Sequence, residues 1–196
     1  MCCGSRQRQA IRQAVRILSA TLIVLWTIEV ADQVLLNEGL DRFGIRPWDF
    51  SRWPGIFLHP FLHGSYEHLL GNSIGIVLLG GAILLRGDRE FVLVTLSSTI
   101  IGGLGVMVIG GIGTVHIGAS GVVFGYFGYL CTIAFFEKSL SAMVHSVATI
   151  FVHWSMIFGV FPGEPGISWQ CHLFGMLGGV IAAKNMKYER HGTRFA

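Results

Sequence analysis

GASGVVFGYFGYLCTIAFF, residues 118–136, contains no charged side chain and places a serine between small residues near its start. A helix needs about 20 predominantly apolar residues to cross the hydrocarbon core of a bilayer, and this stretch is close to that length. Glycine recurs within it at positions 121, 125 and 128, where the lack of a side chain lets a neighbouring helix approach closely. The stretch therefore predicts a transmembrane helix that packs tightly against another helix.

The whole chain has the composition of a membrane protein. Of its 196 residues, 52% are hydrophobic and only 13% are charged, and the mean hydropathy is +0.62. Soluble domains average about 25% charged residues, so the bilayer is the expected solvent for this chain. The formal net charge of +3 is small, and it indicates no nucleic-acid partner.

Six apolar segments follow one another along the chain, each near the length of a membrane span. They cover about residues 17–36, 66–85, 91–112, 118–136, 140–161 and 168–186. We therefore predict an all-α integral membrane protein whose one domain, residues 17–186, is a six-transmembrane-helix bundle. Residues 1–16 and 187–196 are predicted to be its N-terminal and C-terminal tails.

The positive charges indicate how the bundle is oriented, because Lys and Arg are retained in cytoplasmic loops. With the N-terminus inside, 11 of the 14 Lys and Arg residues are cytoplasmic, and only Arg42, Arg46 and Arg52 lie outside. Both tails are then cytoplasmic, and the pattern favours a bacterial inner membrane. The long outer connection, residues 37–65, is rich in aromatic side chains and is expected to lie on or in the outer leaflet.

No metal or cofactor site is predicted. His145 and His153 are two helical turns apart, but no third ligand accompanies them, so helix packing is the expected role of both. The cysteines have no paired spacing, which predicts neither a zinc site nor a disulfide framework. They are Cys2, Cys3, Cys131 and Cys171.

Polar side chains recur near the outer ends of three predicted helices, where the topology places them at a similar depth. His68 and Asn72 lie four residues apart at the start of the second helix. Ser120 opens the fourth helix, and His172 lies in the first turns of the sixth. Glycines follow Ser120 and His172 at spacings of three and four residues, so packing these two faces together would bring the hydroxyl within reach of the imidazole.

A serine becomes a nucleophile when a neighbouring base removes its proton, and histidine can do this near neutral pH. The aspartates and glutamates lie at helix ends or in loops, so we expect Ser120 and His172 to act as a dyad without an acidic third member. Phe124, one turn after Ser120, is a candidate ring for His172 to stack against.

Acyl transfer also needs hydrogen-bond donors for the developing oxyanion. The side chains of His68 and Asn72 can supply N–H groups, and the backbone N–H of Ser120 lies at the positive end of its helix. Gly118 is expected to add a further backbone N–H. Helix packing through hydrogen bonds is the alternative role for His68 and Asn72.

Three motifs resemble the signatures of the rhomboid proteases, and together they cover the six-span core. They are HLLGN at 68–72, GASGVVFG at 118–125 and WQCHLFGMLGG at 169–179. Two positions depart from the family pattern. Phe124 stands where some members have a tyrosine, and Trp53 is followed by Pro54 in place of a Trp-Arg pair.

The resemblance implies that Ser120 is the nucleophile and His172 the general base, with His68 and Asn72 supporting the oxyanion. It further implies transmembrane proteins as substrates and water supplied from the outer side. By family inference, a substrate helix enters between the second and fifth helices. Phe151, Trp154 and Phe158 could form the movable wall there, or a plain lipid-facing surface, with residues 161–167 as a cap.

Two other classes of intramembrane protease do not fit the sequence. A zinc intramembrane protease needs an HExxH helix, and an aspartyl one needs two aspartates deep in helices, and the sequence has neither. The alternative left open is a rhomboid-like protein that binds membrane clients without cleaving them, or a small channel or transporter. His59, His63 and His116 are expected to be boundary residues at the outer interface, and His63 is the candidate exception because it lies close to the second helix.

Overall fold

The computed structural model describes residues 2–163 and 166–192, and this part of the chain contains helices and loops but no strand. In chain order the α-helices are α1 (Cys2–Ala31), α2 (Gly55–Leu58), α3 (Tyr66–Gly75), α4 (Gly81–Leu84), α5 (Asp88–Ile109), α6 (Ser120–Glu137), α7 (Leu140–His153) and α8 (Trp169–Gly192). A π-helical turn, Asp32–Leu36, extends α1, and a second, Ile76–Gly80, joins α3 to α4. A 3-10 segment, Trp154–Val160, continues α7.

Five helical segments of the described residues are long and apolar enough to cross a membrane. They are Gln7–Leu36, Tyr66–Leu84, Asp88–Ile109, Ser120–Glu137 and Leu140–Val160. The sixth predicted span corresponds to α8, which carries Gln170 and His172 near its start and Lys184 in its second half. These polar residues make α8 less apolar than the other five segments, so the count of six spans stays a prediction.

Two helices begin three or more residues before their predicted starts. α1 begins at Cys2 instead of residue 17, because the Arg-, Gln- and Ala-rich stretch before the apolar segment consists of good helix formers. α5 begins at Asp88, whose carboxylate suits the positive end of a helix. α8 continues to Gly192, and residues 193–196 of the predicted C-terminal tail lie outside the described residues.

The connection between α1 and α3 is folded against the bundle. Ile45 and His116 exchange two backbone hydrogen bonds of 2.9 Å, and the Trp48 indole N–H donates to the Gly110 carbonyl oxygen at 3.1 Å. Ile45 and Ile56 are buried in an apolar cluster with side chains of α5 and α8. This anchoring leaves a row of aromatic side chains exposed: Phe43, Trp48, Phe50, Trp53, Phe57 and Phe61.

Helix α6 lies at the centre of the bundle and packs against α5, α7 and α8. A Cβ atom on Gly175 would lie 2.0 Å from the Gly121 carbonyl oxygen, and one on Gly179 would lie 1.9 Å from that of Gly125. The backbones of α6 and α8 are therefore in direct contact, which only glycine allows at these positions. This contact fixes the relative height of the two helices.

Candidate active site

Ser120 and His172 meet across the α6–α8 interface. The Ser120 hydroxyl oxygen lies 2.9 Å from His172 Nε2. Ser120 is the first residue of α6. The Ser168 hydroxyl accepts the backbone N–H of Cys171 at 3.3 Å, which caps the start of α8 and places His172 in its first turn. The structure thus brings together the two residues that the sequence analysis paired.

A backbone carbonyl orients the imidazole from its other side. His172 Nδ1 lies 2.9 Å from the carbonyl oxygen of Gly159, in the 3-10 segment after α7. A carbonyl oxygen only accepts hydrogen bonds, so Nδ1 carries the proton. Nε2 of the neutral ring is then the unprotonated nitrogen that faces Ser120. Sequence reasoning did not find Gly159, because a backbone acceptor leaves no signal in residue type.

Phe124 lies against the face of the imidazole. The two rings are stacked with centroids 4.0 Å apart and 7° between their planes. Phe124 follows Ser120 by one helical turn, so both residues lie on the side of α6 that faces α8. A Cβ atom on Gly159 would lie 2.6 Å from Phe124 Cζ. The stacked pair therefore fills the space between α6 and the 3-10 segment.

His68 and Asn72 approach the residues before Ser120 from α3. Ser65 caps α3 by accepting the His68 backbone N–H at 3.2 Å, which places His68 in the first turn and Asn72 one turn later on the same face. A Cβ atom on Gly118 would lie 2.6 Å from His68 Cε1 and 3.7 Å from Asn72 Nδ2. Asn72 is buried, and its Nδ2 has no hydrogen-bond partner among the described residues. An unpaired amide donor therefore lies within reach of the site.

Gly118 has a different role from the predicted one. Its N–H donates to the carbonyl oxygen of His59 at 2.8 Å, so it is not free to stabilise an oxyanion. Its φ of +114° and its missing side chain instead let the chain pass close to His68 before α6 begins. The Ser120 N–H has no carbonyl one turn earlier to bond, because Ser120 opens the helix.

The outer histidines are more buried than expected. His59 and His63 are each 1% exposed, because the connection between α1 and α3 folds over them. Burial lowers the pKa of both histidines to about 4, so both are neutral at pH 7. His116 joins the Ser168 hydroxyl, at 2.7 Å, to that of Thr114, at 2.8 Å, and burial also lowers its pKa. These histidines therefore serve the structure around the site.

His145 has a hydrogen-bond partner within its own helix. His145 Nδ1 donates to the Ser141 carbonyl oxygen at 2.7 Å within α7. Among residues 7–163 and 166–186, whose side chains the structure describes, no three His, Cys, Asp or Glu side chains converge in a way that could hold a metal ion.

Helix α7 and the segment after it lie on the outside of the bundle. Phe151 is 83% exposed, and Trp154 and Phe158 are also largely exposed. The rings of Trp154 and Phe158 meet edge to face with centroids 5.8 Å apart. The same segment contributes Gly159 to the site, so this outer wall is attached directly to His172. Of the predicted cap, 161–167, residues 164 and 165 lie outside the described residues.

This arrangement has the parts that acyl transfer requires. A hydroxyl nucleophile contacts the bare nitrogen of a neutral imidazole, and a fixed acceptor holds the imidazole proton on the far side. N–H donors from Asn72 and from the start of α6 lie nearby. Such donors stabilise the negative charge that develops on a carbonyl oxygen during acyl transfer.

Comparison with known proteins gives a family and several relatives. A family model described as the rhomboid domain matches residues 50–188, which is more than two thirds of the chain. The uncharacterised protein Rv1337 of Mycobacterium tuberculosis is 37% identical over 168 residues, covering 82% of this chain and 70% of the relative.

Two further relatives extend this comparison. The uncharacterised protein ML1171 of Mycobacterium leprae is 34% identical over 181 residues, covering 88% of this chain and 71% of the relative. A Bacillus subtilis protein named "Putative rhomboid protease YdcA" is 34% identical over 167 residues, covering 84% of this chain and 82% of the relative.

Proposed function

Because this chain belongs to the rhomboid family and is an integral membrane protein, we propose that it is an intramembrane serine endopeptidase that cleaves transmembrane segments of other proteins. The family carries both proteolytic members and members without activity, so the proposal depends on the site. Its main support is the 2.9 Å contact between the Ser120 hydroxyl and His172 Nε2. The 2.9 Å contact from Nδ1 to the Gly159 carbonyl oxygen leaves Nε2 as the base.

In the first half of the reaction, the Ser120 oxygen attacks the scissile carbonyl carbon while its proton passes to His172 Nε2. The tetrahedral intermediate carries an oxyanion. It collapses when the C–N bond breaks, and His172 gives its proton to the leaving amine. In the second half, water attacks the acyl-enzyme ester, His172 takes the water proton, and the proton returns to Ser120 as the new carboxyl terminus leaves.

Three donors are proposed for the oxyanion: the Asn72 amide, the His68 ring and the Ser120 backbone N–H. Asn72 Nδ2 supports this assignment because it is buried without a partner, which costs free energy unless a ligand group satisfies it. Removing one donor of this kind typically costs about 3 kcal/mol of transition-state stabilisation. Phe124 holds the imidazole plane during the proton transfers.

Access and topology complete the proposal. We place both tails in the cytoplasm of a bacterium, the domain at residues 17–186, and α8 as the sixth span. The support for α8 is its glycine contact with α6, a helix long and apolar enough to span. We propose that a substrate helix approaches between α3 and α7, because these two helices are not packed closely against each other and the rings of Trp154 and Phe158, after α7, are exposed.

The alternative is a rhomboid-like protein that binds membrane clients and does not cut them. Such a protein has no need for a serine hydroxyl in contact with an oriented imidazole. The two functions therefore differ in one observable, the production of cleaved substrate.

The test is cleavage of a fluorogenic transmembrane substrate by the purified full chain in liposomes. Wild type is compared with Ser120→Ala and His172→Ala, each checked for its thermal unfolding midpoint. Cleavage by wild type alone supports the protease. If wild type leaves a panel of transmembrane substrates intact, the protease assignment is wrong and client binding replaces it. If the folded variants cut at the wild-type rate, Ser120 and His172 are not the catalytic dyad.

A further inference from the structure

Two histidines that take no part in the proposed chemistry contact the residues that directly precede Ser120 and His172. His59 and His63 lie in the sequence HPFLH, residues 59–63, before α3. Both are almost fully buried. Three of their four ring nitrogens have a hydrogen-bond partner, and the fourth, His63 Nδ1, has none among the described residues.

His63 holds the residue directly before the nucleophile. Its Nε2 accepts the backbone N–H of Ala119 at 3.3 Å. A nitrogen that accepts from an amide carries no proton, so His63 is neutral with its proton on Nδ1. The His63 ring also meets the His68 ring edge to face, with centroids 5.3 Å apart and 70° between planes. One side chain therefore contacts both the start of α6 and a proposed oxyanion donor.

His59 joins the same segment to the helix of the general base. Its carbonyl oxygen accepts the Gly118 N–H at 2.8 Å, two residues before Ser120. Its Nδ1 donates to the Ile56 carbonyl oxygen at 2.9 Å, which leaves Nε2 unprotonated. That Nε2 lies 3.6 Å from the sulfur of Cys171, within range of an S–H donor. Cys171 directly precedes His172.

We propose that His59 and His63 are positioning residues that hold the segment before Ser120 and the start of α8 in register, and so set the distance between Ser120 and His172. This inference rests on the proposed protease function. Neither ring touches the reacting atoms. Each acts through one unprotonated Nε2, on Ala119 in one case and on Cys171 in the other. Displacement of a reacting group by about 1 Å can reduce a rate by about a hundredfold, so small shifts of these anchors matter.

The charged and titratable surroundings are consistent with neutral rings. The His63 ring lies near His68 of α3 and His59 of its own segment, and the backbone N–H of His63 donates to the Glu29 carboxylate of α1. His59 faces His116. Burial is the largest cause of the lowered pKa of His59 and of His63, and each neighbouring histidine adds to it. Both Nε2 atoms are therefore available as acceptors at neutral pH.

The first test compares two variants at position 63 in the full chain. His63→Phe keeps the ring but removes the acceptor from Ala119, whereas His63→Gln offers an amide oxygen close to the position of Nε2. In liposomes we expect His63→Phe to lower kcat for a transmembrane substrate about tenfold to a hundredfold with KM little changed. His63→Gln is expected to recover most of kcat. A role in folding alone would lower the unfolding midpoint and leave the kcat of the folded fraction unchanged.

A second pair at Cys171 keeps the inference testable if His63→Phe does not fold. Cys171→Ser retains a donor for His59 Nε2 and Cys171→Ala removes it, while both are smaller than cysteine. We expect the alanine variant to have the lower kcat, by about threefold or more, given the modest strength of such a bond. Equal kcat within each folded pair overturns the positioning role. A wild type that cleaves nothing overturns the protease function instead, so the two failures are distinguishable.

Discussion

The carbonyl oxygen of Gly159 accepts a hydrogen bond from His172 Nδ1–H at 2.9 Å. It thereby orients the imidazole, as an aspartate does in a catalytic triad. A carbonyl is uncharged, so it fixes the tautomer without placing a carboxylate beside the imidazole. The acceptor belongs to the 3-10 segment Trp154–Val160, which continues α7 on the outer wall of the bundle. The orientation of the proposed base is therefore coupled to the position of that wall.

This coupling predicts the effect of Gly159→Ala. The added Cβ would lie 2.6 Å from Phe124 Cζ and 3.5 Å from His172 Nδ1, so the segment or the stacked rings must move. We expect proteolytic kcat to fall about tenfold or more, since a small displacement of a base is costly. Gly163→Ala is the matched control, because a Cβ there meets nothing within 4 Å. Equal rates for the two variants in liposomes would show that the Gly159 contact does not position His172.

A second prediction separates backbone strain from a contact at the site. Gly118 and Gly113 both have positive φ, +114° and +83°, so alanine is strained at either position. Only at Gly118 does the Cβ meet the site, 2.6 Å from His68 Cε1. We therefore expect Gly118→Ala to abolish cleavage and Gly113→Ala to retain it. The measurement is kcat per folded molecule, and loss of activity in both variants would assign the effect to strain.

Much of this architecture follows from the sequence for simple reasons. Apolar length predicts membrane helices, and glycines at spacings of three and four residues predict which helix faces meet. Those rules place Ser120 beside His172, and the structure has them in contact. The all-α rhomboid class is confirmed by the family match over residues 50–188. The catalytic roles, the domain boundaries and the orientation stay predictions.

The other contacts around the site were not predictable from the sequence, because backbone groups make them. No residue type marks the Gly159 carbonyl as the partner of His172. The Gly118 N–H was expected at the oxyanion, yet it bonds His59, a residue 59 positions earlier whose burial depends on the fold of the long connection. His59 and His63 were therefore expected to be boundary residues, although the folded connection between α1 and α3 buries them.

The α6–α8 contact predicts a stability effect. The Cβ of Gly175→Ala would lie 2.0 Å from the Gly121 carbonyl oxygen, and a backbone atom cannot move aside as a side chain can. Overpacking typically costs about 1–3 kcal/mol and sometimes more, so the free energy of unfolding in detergent should fall by at least this amount. Gly71→Ala, where a Cβ meets nothing within 4 Å, should leave stability unchanged or raise it by up to about 1 kcal/mol. If Gly175→Ala has the wild-type free energy of unfolding, the close packing of α6 against α8 is contradicted.

Asp41 predicts a pH-dependent effect on stability. Burial, followed by repulsion from Asp32, Glu29 and Glu38, raises the pKa of Asp41 to about 6, and its Oδ1 has no hydrogen-bond partner among the described residues. An unfolded aspartate titrates near pH 3.9, so between about pH 4 and 6 the folded state binds more protons and stability falls as pH rises. Asp41→Asn removes the charge and should raise the thermal midpoint at pH 8 but not at pH 4. Equal midpoints at pH 8 would contradict the repulsion.

The measurement that tests the central claim most directly is the labelling of the full chain in liposomes by a fluorophosphonate probe, with the site mapped by mass spectrometry. The Ser120 oxygen attacks phosphorus, fluoride leaves, and His172 takes the proton. We predict one label on Ser120, none in Ser120→Ala, and labelling slowed about a hundredfold or more in folded His172→Ala. Labelling of another residue, or of Ser120 at the wild-type rate without His172, would contradict the dyad.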